Sequence, residues 1–355
     1  FALSPQGTVS SFDTNKATQG YSLPVTASWE LDVFGRMRNS KKQAKALYAQ
    51  SEDYRQAVRT QLIAGIANTY YTLLMLDEQL IISRQTEEAW KETVASTRSL
   101  MNAGLANESA VSQMEATYYQ VQGSVLDLQQ QINQVENSLA LLLAETPRNY
   151  ERGTLADQQF PTDFAVGIPV RMLAARPDVR SAERTLEAAF YGTNAARSAF
   201  YPSITLSGSA GWTNSVGSMI LNPGKFLASA VGSLTQPLFN KGQVLAQYRI
   251  ARAQQEEAAL GFQQTLLNAG SEVNDALTAY QTSQGKRLLL DKQVTSLQTA
   301  LRSTSLLMEH TNTTYLEVLT ARQSLLSAQL SQTANHFTEI QSLINLYRAL
   351  GGGQE

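Results

Sequence analysis

Two stretches of the chain carry an apolar seam that advances by alternating steps of three and four residues. The first runs Val111, Met114, Tyr118, Val121, Val125, Leu128, Ile132, Val135, Leu139 and Leu142. The second runs Leu319, Gln323, Leu326, Leu330, Thr333, Phe337, Ile340, Ile344 and Tyr347, with two polar exceptions. A sustained period of 3.5 keeps one stripe against a partner helix and winds the pair left-handed. A two-helix hairpin on an ordinary core is the plainer alternative, and the length of the seam weighs against it. Proline placement extends the helical reading. No proline lies between Pro24 and Pro147 or after Pro237, and proline inside a helix costs about 3 kcal/mol. Each proline-free tract has one interruption, Asn102-Ala103-Gly104 or His310-Thr311-Asn312-Thr313-Thr314. Each tract is therefore predicted to hold a long helix, from about Asn39 to Met101 or from about Gln243 to Met308, then a turn and a shorter returning helix. The long helices would measure roughly 90–100 Å. Coiled coils and helical barrels use such lengths; globular cores do not.

Period two appears just before each long helix. From Ser22 to Val33 the alternation is complete, with Leu23, Val25, Ala27, Trp29, Leu31 and Val33 on one face. Phe1 to Phe12 is a weaker strand before it, joined by a polar loop from Asp13 to Gly20. A second pair, Ser203 to Trp212 and Ala228 to Leu238, flanks a loop containing Asn222-Pro223-Gly224. These runs match the roughly 9–11 residues of a tilted membrane strand, and would equally suit a soluble hairpin half-buried on a core. Between the halves, Glu145 to Pro202 holds five of the nine prolines. It reads as an irregular segment followed by a helix from about Asp178, capped by that residue, to about Phe200.

The chain repeats itself. Leu100-Met101 matches Leu307-Met308, Val111 matches Val318, and Leu139 to Leu143 matches Leu346 to Leu350. Val33-Phe34-Gly35 precedes the first long helix as Leu238-Phe239-Asn240 precedes the second, and the changed spacing there implies a short insertion. Two copies of one large unit account for this. The expected division is a first β-hairpin in 1–35, a helical hairpin in 36–146, a linker with a helix in 147–202, a second β-hairpin in 203–239, and a second helical hairpin with the tail in 240–355.

Composition narrows the function. With 28 basic and 30 acidic residues the net charge is −2, which gives no footprint for nucleic acid. The absence of cysteine removes disulfides, thiolate metal ligands and a thiol nucleophile. His310 and His336 are the only histidines and lie apart, so no nucleophile–base pair or histidine metal site is argued. Gly351-Gly352-Gly353 follows a helix and precedes none, so it reads as a helix stop and not a phosphate loop. Arg176, Arg180 and Arg184 near Asp178 and Glu183 read as a structural ion-pair network. No catalytic residue, cofactor or metal is expected. No apolar run reaches the roughly 18–20 residues of a spanning helix, which leaves a β-barrel open. The chain starts at Phe1 without a signal peptide and is expected to begin inside a longer precursor.

Four strands cannot close a barrel, for which about eight are needed, and an open sheet edge cannot sit in lipid. If these are membrane strands, several copies share one barrel; three copies would supply twelve strands and twelve helices around a cyclic axis. The function of such a tube is passage.

Several segments make a resemblance specific. They are Ala27-Ser28-Trp29-Glu30-Leu31-Asp32-Val33-Phe34-Gly35-Arg36, Ala175-Arg176-Pro177-Asp178-Val179-Arg180-Ser181-Ala182-Glu183-Arg184, Ala199-Phe200-Tyr201-Pro202-Ser203-Ile204-Thr205-Leu206, Pro237-Leu238-Phe239, and Tyr315-Leu316-Glu317-Val318-Leu319-Thr320-Ala321-Arg322. Together they resemble the TolC-like outer-membrane factor family, in its OprM-type efflux branch, over essentially the whole chain. The resemblance implies a homotrimeric outer-membrane duct of Gram-negative bacteria. Its β-barrel sits in outer-membrane lipid and its α-helical barrel projects into the periplasm, where a periplasmic adaptor and an inner-membrane pump feed it drugs or other small solutes. It also implies a preceding segment with a signal peptide and often a lipidated cysteine. By the same resemblance, Leu316, Glu317 and Thr320 fall at the periplasmic aperture. Thr320 stands where many members have an aspartate, which weakens an acidic ring. Gly104, Glu108, Thr313 and Tyr315 fall at hairpin tips that would meet the adaptor, and Leu23, Val25, Trp29 and Leu31 on a lipid-facing strand. An exit duct for type I protein secretion and a non-transporting coiled-coil scaffold or adhesin are the alternatives.

Overall fold

The computed structural model describes residues 2–3, 6–13, 16–104, 106–158, 174–214, 225–236, 239–310 and 315–352. In chain order the elements are β1 (Ala2–Leu3), β2 (Gln6–Asp13), β3 (Lys16–Leu31), α1 (Arg36–Asn102), α2 (Glu108–Leu143), α3 (Pro177–Ser198), β4 (Ser203–Asn214), β5 (Lys225–Thr235), α4 (Gln243–His310) and α5 (Tyr315–Ala349). The helix α1 has 67 residues and α4 has 68. No helix among the described residues is long and apolar enough to cross a membrane. The contacts divide the chain into two units, Phe1–Ser51 with Ser181–Gln263, and Glu52–Arg180 with Gln264–Glu355.

The first unit contains one antiparallel sheet. Its order is β1 and β2 along one edge of β3, then β4, then β5. Ala2 pairs with Thr26 and Gln6 with Ser22 in the same register, so β1 and β2 are two pieces of one edge strand. A bulge between Val9 and Phe12 shifts that register by one residue. The β3–β4 and β4–β5 ladders run without a shift. Pro24 sits inside β3 directly opposite Gly211. A Cβ at 211 would collide with the Leu23 carbonyl and Pro24 Cα, so only glycine lets the two backbones approach there.

Three sequence expectations shift. The loop expected from Asp13 to Gly20 is strand from Lys16 onward, with Asp13 paired to Lys16, because cross-strand pairing overrides the weak local propensity of this polar stretch. The last strand is Lys225–Thr235, starting three residues ahead of the expected Ala228 and ending where Thr235 meets Ser203, while Pro237 and Leu238 of the expected strand lie outside the described residues. The expected loop around Asn222-Pro223-Gly224 lies outside the described residues. The linker helix starts at Pro177, so Asp178 is its second residue and not its cap; the fixed φ of proline suits the first helical position.

The second unit is built on helix pairs. The first seam is buried or half-buried at every position, from Val111 to Leu142. The second departs at Gln323 and Tyr347, which are exposed. Trp90 of α1, only 1% exposed, packs with Met114 and Val121 of α2 and Leu319 of α5. A second cluster joins Val273 and Ala276 of α4 to Leu346 and Ala349 of α5. A third sets Leu155 of the linker between Leu74 of α1 and Ile340 of α5. Thus α1 and α5 pack side by side, each also holding its hairpin partner, and the linker plugs in at Leu155. Arg152 fixes that plug, reaching Asp77 of α1 (Nη2 to Oδ1, 3.0 Å) and Glu136 of α2 (2.6 Å).

The repeat is visible in the backbone. Gly35 and Gly242 both have φ of 77° immediately before the long helices. Ala144 (φ 55°) and Gly351 (φ 78°) both end the returning helices in the left-handed region. Glu145 N–H donates to Ala140 O and Gly352 N–H to Tyr347 O, the same closure twice. The implied insertion is therefore Asn240-Lys241, between Phe239 and Gly242.

Candidate functional site

Three places carry the residues singled out by sequence. The first is the start of α5, where Tyr315 is the first helical residue. Helical spacing sorts the next residues into two faces. Val318 and Leu319 are buried, and Leu319 is held by Trp90, Met114 and Val121. Leu316 (49% exposed), Glu317 and Thr320 are turned outward together. Thr320 Oγ1 donates to Leu316 O at 2.8 Å, so the threonine hydroxyl closes on its own helix. The carboxylate of Glu317 sits in the first turn, at the positive end of the helix dipole. One side of this turn is thus anchored in the core while the other presents an apolar group, an acid and a hydroxyl. Thr313 lies outside the described residues.

The second place is the turn between α1 and α2. Gly104 has φ of 74° and donates its N–H to Met101 O at 3.0 Å, a left-handed helix ending that glycine adopts without strain. Asn107 caps α2, its Oδ1 accepting from Ala110 N at 2.8 Å. Glu108 follows as the first helical residue and is exposed. The hairpin is cross-linked beyond the turn by an Arg98–Glu115 ion pair and by the Thr97 hydroxyl against the Met114 sulfur at 3.0 Å.

The two hairpins meet in a contact that the sequence did not reveal. The Arg322 guanidinium lies over the Trp90 ring at 5.9 Å. Its Nε is buried with no hydrogen-bond partner among the described residues. Burial pushes the Arg322 pKa down, against the attraction of Glu92. A Trp and an Arg 232 positions apart carry no spacing signal, so only the fold pairs them. The arginine network was legible, but its partners were not. Arg176 bonds Asp178, Glu272 of α4 (2.7 Å) and the Ala349 carbonyl that ends α5 (2.9 Å), and Arg180 pairs with Asp53 of α1 at 2.8 Å.

The third place is the sheet face. Leu23, Val25, Ala27, Trp29 and Leu31 lie opposite Trp212, Ala210, Gly208, Leu206 and Ile204, and the last four lie opposite Ala228, Ala230, Gly232 and Leu234. Opposed residues of an antiparallel pair share a face, so this whole face is apolar. Leu23, Val25, Trp29 (65% exposed), Leu206, Trp212 and Leu234 are exposed, and Leu31 is half-buried. On the other face the rows hold Thr26, Ser28, Glu30, Thr205, Ser207, Ser209, Ser229 and Ser233, with a Ser209–Ser229 hydroxyl pair at 2.7 Å. An apolar face left open to the surroundings across three adjacent strands is the reverse of a soluble hairpin packed on a core.

Comparison with known proteins agrees. The family model described as outer membrane efflux protein matches residues 4–145 and 168–352. The cation efflux system protein CusC of Escherichia coli O6:H1 is 29% identical over 337 residues, covering 95% of this chain and 73% of that protein. The solvent efflux pump outer membrane protein SrpC of Pseudomonas putida is 32% identical over 358 residues, covering 99% of this chain and 74% of that protein. A solved structure of CusC, described in terms of folding and transmembrane channel formation, superposes with a TM-score of 0.91 at 27% identity, over 99% of this chain and 82% of that one. With the model matched over most of its length, the chain belongs to the outer membrane efflux protein family.

Proposed function

We propose that the protein is the outer-membrane exit duct of a tripartite efflux system, a homotrimer that carries drugs or other small solutes outward from an inner-membrane pump and a periplasmic adaptor. The observation that carries this reading is the sheet: four strands' worth of ladder with an apolar outer face and two outer edges. Lipid does not tolerate open edges, so the sheet is one third of a wall completed by two further copies. Residues 1–35 and 203–239 supply that wall, with Leu23, Val25, Trp29 and Leu31 against lipid. Residues 36–146 and 240–355 supply the helical hairpins of the periplasmic tube, and 147–202 the band between. The protein does no chemistry of its own; the pump supplies the energy.

Leu316, Glu317 and Thr320 rim the aperture. Brought together around a threefold axis, Leu316 would block the path for ions while Glu317 draws cations toward it. Gly104, Glu108 and Tyr315 stand at the tips that the adaptor grips. The test is single-channel conductance of the trimer in planar bilayers. Replacing Leu316 and Glu317 together by Ala should raise conductance several-fold and weaken cation preference. Unchanged conductance would remove these residues from the aperture.

A further inference from the structure

The apolar face of the sheet ends at one row, where Leu31, Ile204 and Leu234 lie side by side. Three helices meet that end. The strand β3 leads into the start of α1, α3 leads into β4, and β5 leads toward the start of α4. Their charges there have one sign. From Arg36 to Ser51, α1 carries Arg36, Arg38, Lys41, Lys42 and Lys45 and no acid. From Gln243 to Gln255, α4 carries Arg249 and Arg252 and no acid. The last turns of α3, Ala188 to Ser198, carry Arg197 as their one charge. Acids return only farther from the sheet, at Glu52 and Asp53, at Glu256 and Glu257, and at Glu187. In a chain whose net charge is −2, this segregation follows position in the fold.

Helical spacing sets Arg38, Lys41, Lys42 and Lys45 on one face of α1. All four are exposed, as are Arg197, Arg249 and Arg252. At the strand end Glu30 pairs with Arg36 and Asp32 with Arg38, and Lys42 lies over the Tyr191 ring at 5.2 Å. Lys41, Lys45, Arg249 and Arg252 form no ion pair among the described residues. The arrangement is unfavourable for the helices taken alone. Like charges three and four residues apart repel. Cations at the start of α1, whose first turn holds no acid, oppose the helix dipole. The helix ends are nevertheless held together. Thr193 Oγ1 of α3 donates to Ala251 O of α4 at 3.0 Å, and the Phe200 and Tyr248 rings meet edge to face at 5.7 Å. A counter-charge from outside the chain would offset the repulsion.

We propose that this band is a collar for anionic phospholipid headgroups, binding their phosphates in the leaflet where the apolar face of the sheet ends. The inference rests on the reading of that face as lipid-facing and extends it to the adjoining helix ends. Continuity and charge fix the occupant. The five cations of α1 fall within about 14 Å of helix. A headgroup layer of about 5–7 Å and one screening length of about 8–10 Å together span that distance, over which anionic lipid attracts basic segments. Exposed Phe34, Met37 and Tyr48 flank the charges, and apolar and aromatic groups beside cations suit a membrane–water boundary. A second copy would not supply the counter-charge, because a cyclic neighbour brings its own cations to the same height.

The test uses the full-length protein in nanodiscs of equal parts phosphatidylcholine and phosphatidylglycerol, with native mass spectra reporting the lipids that stay bound to the trimer. The trimer should retain phosphatidylglycerol about tenfold over phosphatidylcholine, and high salt should erase the preference. Lys41→Gln, Lys45→Gln, Arg249→Gln and Arg252→Gln together should remove it and leave the trimer intact. Equal retention of both lipids by the unaltered trimer would overturn the collar while the barrel stands. So would displacement of the lipid by inorganic phosphate at constant ionic strength, which would make the band a site for soluble anions. A variant that changes the ion selectivity of the channel and keeps the lipid preference would turn these cations toward the duct, against the collar. A protein that does not enter lipid at all would take the reading of the sheet and the collar down together.

Discussion

At the scale of single residues the repeat exposes a mismatch. Ala144 and Gly351 end equivalent helices in equivalent left-handed conformations, but only one is glycine. A side chain in that region costs roughly 1–2 kcal/mol, part of which glycine gives back as unfolded-state entropy. Ala144→Gly should therefore stabilise the protein by about 0.5–1 kcal/mol, read as a raised unfolding midpoint; a lowered midpoint would mean that the Ala144 methyl group makes a contact worth more than the strain. The reverse change fails for a second reason. A Cβ on Gly351 would come within 3.2 Å of the Arg176 Cα and 3.3 Å of the Ala175 carbonyl carbon, so Gly351→Ala loses both conformation and space.

Among the elements, α5 carries His336, half-buried beside a cavity of about 270 Å³. Glu78 of α1, Leu155 and Ala156 of the linker, Arg287 and Asp291 of α4, and Gln332 and Thr333 of α5 line it with His336. Burial, then Arg287, pushes the His336 pKa below its ordinary value, while Glu339 and Glu78 pull the other way. Since the folded state holds this proton less tightly than the unfolded chain, its contribution is present above about pH 6.5 and is lost as pH falls from there toward the lowered value. The unfolding midpoint should drop on acidification from pH 7.5 to 5.5, and His336→Gln should flatten that drop; parallel curves would sink the assignment. The helices themselves were legible because periodicity and missing prolines persist over tens of residues. What the sequence hid was contact between elements. Nothing in the spacing of Trp90, Met114, Leu319 and Arg322 announces that they touch. The strand ends were hidden for a related reason: Lys16 to Gly20 are poor strand formers held in place by partners on β2.

For the molecule as a whole, the apolar face of the sheet makes a claim about its surroundings. A lysine on the lipid side of a barrel costs about 2–4 kcal/mol at the membrane midplane and about 0–1 kcal/mol near an interface. Val25, midway along the β3 ladder, should therefore tolerate lysine far less than Trp29, near its end, and Ser28→Lys on the opposite face should be nearly neutral. Yield of folded protein in lipid vesicles measures all three, and equal losses at 25 and 28 would place the apolar face somewhere other than lipid. The second unit has a different consequence, set by time. Arg176 grips the carbonyl of Ala349, 173 residues downstream, and Thr60 Oγ1 donates to the carbonyl of Gly352 at 2.9 Å. The early half of this unit cannot finish folding until almost the last of these residues has been translated and exported. A copy cut short before residue 349 lacks both grips, which leaves its early helices unclasped and open to proteases.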